Sequence, residues 1–106
     1  MKILSSTAWG LVLALAVPAL QAAPEATQRL RTRALAATCA QCHGTEGRAV
    51  EGEALIRLSG LPREHILTQL LAFRTGQRPA TIMHQITRGY SQEQLEEVAT
   101  YFASQR

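Results

Sequence analysis

Cys39-Ala40-Gln41-Cys42-His43 is the stretch on which the reading of this 106-residue chain turns. Two thiols separated by two residues are each placed to add to a haem vinyl group, and the next residue sets an imidazole under the iron. C-x-x-C-H is therefore the pattern of covalent c-type haem attachment. The rival readings ask for residues that the chain does not supply. A dithiol redox pair wants a βαβ context near the motif. Zinc wants four ligands, and beyond this stretch only His65 and His84 remain, singly placed. A disulfide between Cys39 and Cys42 would close a loop too short to constrain much of the unfolded chain, and it would leave His43 without a role.

The N-terminal segment bears on the compartment independently. Met1-Lys2 is followed by the apolar run of residues 8–17, then by Pro18 and the small-residue stretch Gln21-Ala22-Ala23. This order reads as a secretory signal peptide over residues 1–22, cleaved after Ala22. The apolar run is shorter than the ~20 residues of a bilayer span, so an uncleaved anchor is the weaker alternative and the mature chain is expected to have no membrane span. Haem is joined to such chains outside the cytoplasm, and a periplasmic location follows from signal and motif together.

Residues 23–106 then form one domain, small enough to have difficulty burying sufficient apolar surface unaided. A haem would supply the missing core. Lys2 is the only lysine, so the mature chain sets ten arginines against eight glutamates. Nothing in that balance makes the concentrated basic face that a nucleic-acid partner would require.

Three main helices are expected. Pro24-Glu25 opens the first, with Leu30, Ala34, Leu35 and Ala37 on its apolar side and Arg29, Arg31 and Arg33 on its solvated one. Residues 44–52 are polar and contain glycine, and they read as a loop. Pro62 then starts a central helix whose Ile66, Leu67, Leu70, Leu71 and Phe73 recur at helical spacing before Gly76 closes it. Ser91 with Gln94 forms a capping box for the last helix, Tyr90 and Leu95 suit a hydrophobic staple, and Leu95, Val98, Ala99 and Phe102 make its buried stripe. Tyr101 and Phe102 read as core packed against the first helix. Alternating runs that would mark strands are absent, so the fold class is all-α, with helices and loops around one haem.

Between the central and last helices lies Gly76-Gln77-Arg78-Pro79-Ala80-Thr81-Ile82-Met83. An iron held by His43 needs a sixth ligand if it is to carry electrons without binding substrates, and a thioether raises the potential. Met83 is the only methionine after the signal segment. It is therefore the expected distal ligand, approaching from a Pro-containing loop on the face opposite His43. His84 and His65 are the competing donors, and ordinary core filling is the bland alternative for the methionine.

The stretch Gly76, Arg78-Pro79, Thr81-Ile82-Met83, Ile86 and Arg88-Gly89-Tyr90-Ser91, together with C-x-x-C-H, resembles the small class I cytochromes c of the c4/c5-like group. The likeness runs from Thr38 to Ser104, and the cytochrome subunit of flavocytochrome c sulfide dehydrogenases is most similar. That resemblance implies one haem c with thioethers at Cys39 and Cys42, His43 as proximal ligand and Met83 as distal ligand. It also implies an FAD-containing, sulfide-oxidising flavoprotein as electron donor and a further protein as acceptor. The chain departs from the pattern at three points. Ile56 stands where a proline usually offers the carbonyl that orients the proximal histidine, and its carbonyl can still accept the same hydrogen bond, but from a less rigid loop. His84 stands where a small residue is common, and the chain has one haem domain where some partners of such flavoproteins have two.

Outer-sphere transfer of single electrons is the mechanism these readings imply, with the cofactor supplying the chemistry. The alternatives are a free carrier serving a respiratory oxidase or reductase and, from a different class, a ligand-binding or peroxidatic haem protein with an open iron.

Overall fold

The computed structural model describes residues 23–52 and 56–106. The signal-peptide reading falls on residues 1–22 and lies outside the described residues. Pro24, at a first-turn position where its missing N–H costs nothing, opens helix α1 (Pro24–His43), with Glu25 in the same turn. The helix continues through the whole C-x-x-C-H stretch and ends at Gly44, whose N–H donates to the carbonyl of Ala40 at 2.9 Å.

A 3-10 turn (Thr45–Gly47) follows. Helix α2 (Arg63–Thr75) starts after Pro62, which sits one position earlier than expected, at the cap. Gly76 ends it in the left-handed conformation with φ 78°, a turn that a residue without Cβ makes at no steric cost. Helix α3 (Met83–Arg88) is a single short element that periodicity does not announce. Helix α4 (Gln92–Ser104) begins with the full capping box: the N–H of Gln94 donates to the Ser91 hydroxyl at 3.2 Å, and the Ser91 N–H donates to Oε1 of Gln94 at 2.9 Å. Among the described residues the all-α class is the one observed, with a fourth, short helix added to the three main ones.

Helix α4 is the central element, packed against both α1 and α2, while α3 packs on α2. Leu95, Val98, Ala99 and Phe102 are all buried, as the periodicity of α4 requires. Val98, Ala99 and Phe102 meet Ala36 of α1 and Ile66 of α2 in one cluster, against which Tyr101 also packs. The Tyr101 and Phe102 rings meet edge to face, 5.3 Å between centroids.

Helix α1 differs from the expected register. Apart from Ala26 near its start, the residues turned at least partly inward are Thr32, Leu35, Ala36, Cys39, Ala40 and His43, at steps of three and one, whereas Leu30, Ala34 and Ala37 face solvent. Steps of 100° per residue explain the difference: a helix that turns Cys39 and His43 inward cannot also bury Leu30. Arg29, Arg31 and Arg33 are exposed, as expected.

Candidate haem-binding site

The proximal side is built from the last turn of α1 and the loop after it. Cys39 is half-buried and Cys42 exposed, and both are free thiols. Burial pushes the Cys39 thiol above its ordinary value, opposed in part by the Thr38 hydroxyl beside it. The Nδ1 of His43 lies 2.7 Å from the carbonyl oxygen of Ile56. A carbonyl only accepts, so Nδ1 carries the proton and the lone pair of the neutral ring sits on Nε2. This is the ligand-ready tautomer, held by the residue that replaces the expected proline.

The loop that presents Ile56 is tied down by its own backbone. The Ala49 N–H donates to the His43 carbonyl at 2.8 Å, and the N–H groups of Leu58 and Ser59 both donate to the Gly47 carbonyl, at 2.7 and 2.9 Å. Gly47 has φ +72°, and a Cβ there would stand 2.7 Å from the Phe102 ring, so the loop is pressed onto the core. Two non-glycine residues in it, Glu46 and Ala49, are left-handed with φ 55° and 58°. The Glu46 carboxylate is flanked by Arg48 at 3.2 Å and Arg33 at 3.6 Å.

The distal side is assembled differently. Met83 is the first residue of α3 and is half-buried. The Thr87 hydroxyl, fully buried, donates to the Met83 carbonyl at 2.9 Å and braces the short helix from within. The preceding loop is folded back on α2: the Arg78 N–H donates to the Ala72 carbonyl at 3.0 Å, its guanidinium lies over the Phe73 ring at 4.6 Å and donates to Gln69. Arg78 thus shapes the loop. His84 is half-buried, and its Nδ1 is buried without a protein partner, as is Nη1 of Arg74. His65 is exposed in the first turn of α2.

Cys39, Cys42 and His43 are contiguous, whereas Met83 is on a separate element. What joins the two sides is a pair of hydroxyls, Thr38 and Tyr90, within hydrogen-bond distance of each other. Sequence reading did not find this pairing: it set Tyr90 in a staple with Leu95 and in the stretch that resembles the small cytochromes c, and it named Thr38 only as the start of that likeness. A polar residue directly before Cys39 was the only available signal.

These residues fit a c-type haem. Among the described residues no group of three or more His, Cys, Asp or Glu converges as a metal cage, so the iron would bring its equatorial donors in a porphyrin and take axial ones from single side chains. Among the described residues the core is small, with six buried apolar residues of which two are alanines. Val50, Ile56, Ile82 and Ile86 stay exposed on the segments that carry the His43 partner and Met83, and this is apolar surface for a large planar group to cover. Two surface grooves among the described residues run along α1 and α4 and include none of the four site residues.

No family model matches the chain. Individual proteins do. The cytochrome subunit of sulfide dehydrogenase from Chlorobaculum tepidum is 32% identical over 87 residues, 82% of this chain and 77% of that protein. Cytochrome c-554(548) from Halomonas halodenitrificans is 36% identical over 73 residues, 64% of this chain and 84% of that protein. A thiosulfate dehydrogenase electron acceptor from Thiomonas intermedia is 34% identical over 68 residues, 64% of this chain but 31% of that longer protein. The two shorter relatives are matched over most of their own length by a chain whose helix α1 ends in C-x-x-C-H with its histidine already oriented. The chain therefore belongs to the small class I c-type cytochromes, haem proteins of electron transfer.

Proposed function

We propose that this cytochrome is an exported monohaem electron carrier, with residues 1–22 as a cleavable signal peptide and residues 23–106 as the haem domain of the periplasmic protein. Cys39 and Cys42 carry the thioether bonds, His43 is the proximal ligand and Met83 the distal one. The observation that carries this reading is the hydrogen bond from His43 Nδ1 to the Ile56 carbonyl, because it fixes the tautomer and aims Nε2 away from the protein backbone. When bound, the haem supplies a one-electron couple. The chain would hold the group through His43 and Met83, each on a segment tied by its own hydrogen bonds, so that little rearrangement would accompany a change of oxidation state. Acidified organic solvent should leave one haem on the exported protein, with a mass equal to residues 23–106 plus haem. Complete extraction of the haem, or the mass of the apoprotein, would overturn it.

The donor we propose is an FAD-containing flavoprotein that oxidises sulfide. It is supported by the likeness to a sulfide dehydrogenase subunit and by the exposed Pro79 and Ile82 beside Met83, which Arg78 buttresses from behind. An apolar, permanent interface of this kind tolerates moderate salt. Purification of the native protein at moderate ionic strength should bring a flavin-containing companion with it. The second reading is a diffusible carrier, favoured by the likeness to thiosulfate dehydrogenase electron acceptors. A monomer without flavin, whose association rate with its donor falls steeply with salt, would select it.

A further inference from the structure

The distal segment is fastened to the attachment helix at one point. Helix α3 packs on α2. Among the described residues, the Tyr90 hydroxyl on Thr38 Oγ1 is the one side-chain hydrogen bond from the segment Met83–Tyr90 to α1, and it spans 52 positions of sequence. Thr38 Oγ1–H donates to the Leu35 carbonyl at 3.2 Å, so its single proton is used and the Tyr90 O–H supplies the proton of the pair. Each partner stands next to the proposed site. Thr38 directly precedes Cys39, whose Sγ is 4.0 Å from the same hydroxyl. Tyr90 follows the end of α3, where its N–H donates to the Thr87 carbonyl at 3.3 Å, and the Thr87 hydroxyl returns to the Met83 carbonyl at 2.9 Å. A continuous path of hydrogen bonds therefore runs from the backbone of Met83 to the residue beside the first thioether cysteine.

We propose that Tyr90 and Thr38 are positioning residues that clamp the Met83 segment to the end of α1 and set how often Met83 leaves its place as a ligand. The proposal rests on the reading of Met83 as distal donor. A thioether on a flexible, unbranched side chain is a neutral donor with no charge to hold it near the iron, so its occupancy depends on how firmly its backbone is fixed. The Tyr90 ring is half-buried but Thr38 is exposed, so water can take the place of a lost partner and the expected effect is that of a single net hydrogen bond.

The experiment uses the haem-loaded protein and carbon monoxide as probe. Tyr90→Phe removes only the O–H, and the rate of carbon monoxide uptake by the ferrous form, which waits on Met83 departure, should rise about fivefold, the factor expected for one net hydrogen bond. Thr38→Val should do the same and Thr38→Ser should restore the normal rate. The double variant Tyr90→Phe/Thr38→Val should be no faster than either single one, since the two act through one bond. The near-infrared sulfur-to-iron band should also bleach on warming well before the helices melt. Uptake at the unaltered rate in both Tyr90→Phe and Thr38→Val overturns the clamp, even where overall stability falls. If the unaltered protein lacks the near-infrared band, the Met83 reading fails and takes the clamp with it. If the band is present but indifferent to both variants, the clamp alone fails.

Discussion

The two sides of the candidate site are held by different means. The proximal side is five contiguous residues at the end of a 20-residue helix, followed by a loop whose backbone bonds and Gly47 contact lock it to the core. The distal side is one residue on a six-residue helix, held by Thr87, by the Arg78 staple on α2 and by the hydroxyl pair with Thr38. Local geometry settles the first, and a few side-chain contacts between distant segments settle the second. On the proposed reading, the proximal side is the part of the molecule that folding depends on, and the distal side the part in which binding is adjustable.

Removing each side should therefore have unlike consequences. Replacing Cys39 and Cys42 together with alanine should leave a chain that does not fold stably, because it loses the group that completes its small core. Met83→Ala should remain folded but lose the near-infrared band, bind carbon monoxide and have a markedly lower potential. Far-UV circular dichroism and ferrous ligand spectra distinguish the two results. Equal folding of both variants would break the comparison.

Gly47→Ala tests the proximal loop alone. A Cβ would stand 2.7 Å from Cδ1 of Phe102 and 2.9 Å from Cβ of Leu58, with φ in the left-handed region. The expected loss is about 2 kcal/mol or more of unfolding free energy, read by denaturant titration. On the distal side, Arg78→Leu removes the stacking on Phe73 and the bond to Gln69. About 1 kcal/mol is the expected loss at this partly exposed position, with increased carbon monoxide uptake as its signature.

The smallest effect concerns α4, which supports both sides. The Glu93 carboxyl is held below its ordinary value by its own backbone N–H and by the Ser91 hydroxyl at the helix start. A lowered folded-state value means that its contribution is present above the ordinary carboxylate range and is lost as pH falls through the lowered value. Glu93→Gln should make the acid limb of the stability profile slightly shallower and leave neutral stability nearly unchanged. An unaltered acid limb would remove Glu93 from the account.

Much of this was legible in the residues because it is local. Pro24, Pro62, Gly76 and the Ser91/Gln94 box mark helix ends within four residues of themselves, and the stripe of α4 is a matter of period. The acceptor role of the Ile56 carbonyl followed from the resemblance to the small cytochromes c, in which a proline stands at that point before Leu58-Ser59-Gly60. The register of α1 did not, because Leu30 is as apolar as Leu35 and only the packing against α4 chooses between them. Helix α3 escaped notice because six residues are too few to display a period.

By itself, then, the sequence determined the all-α class, where the three main helices start, where α2 ends and the contiguous C-x-x-C-H motif, each of which depends on residues a turn or two apart. The tertiary structure alone decided which face of α1 turns inward, that Arg78 is bound up with Phe73 and Gln69, and that Tyr90 reaches Thr38. Those contacts join residues from 5 to 52 positions apart, and the hydroxyl pair exists only once α1 and α4 have packed. A tyrosine that suits a staple and a tyrosine that clamps a distant helix look the same until the chain has brought its partner near.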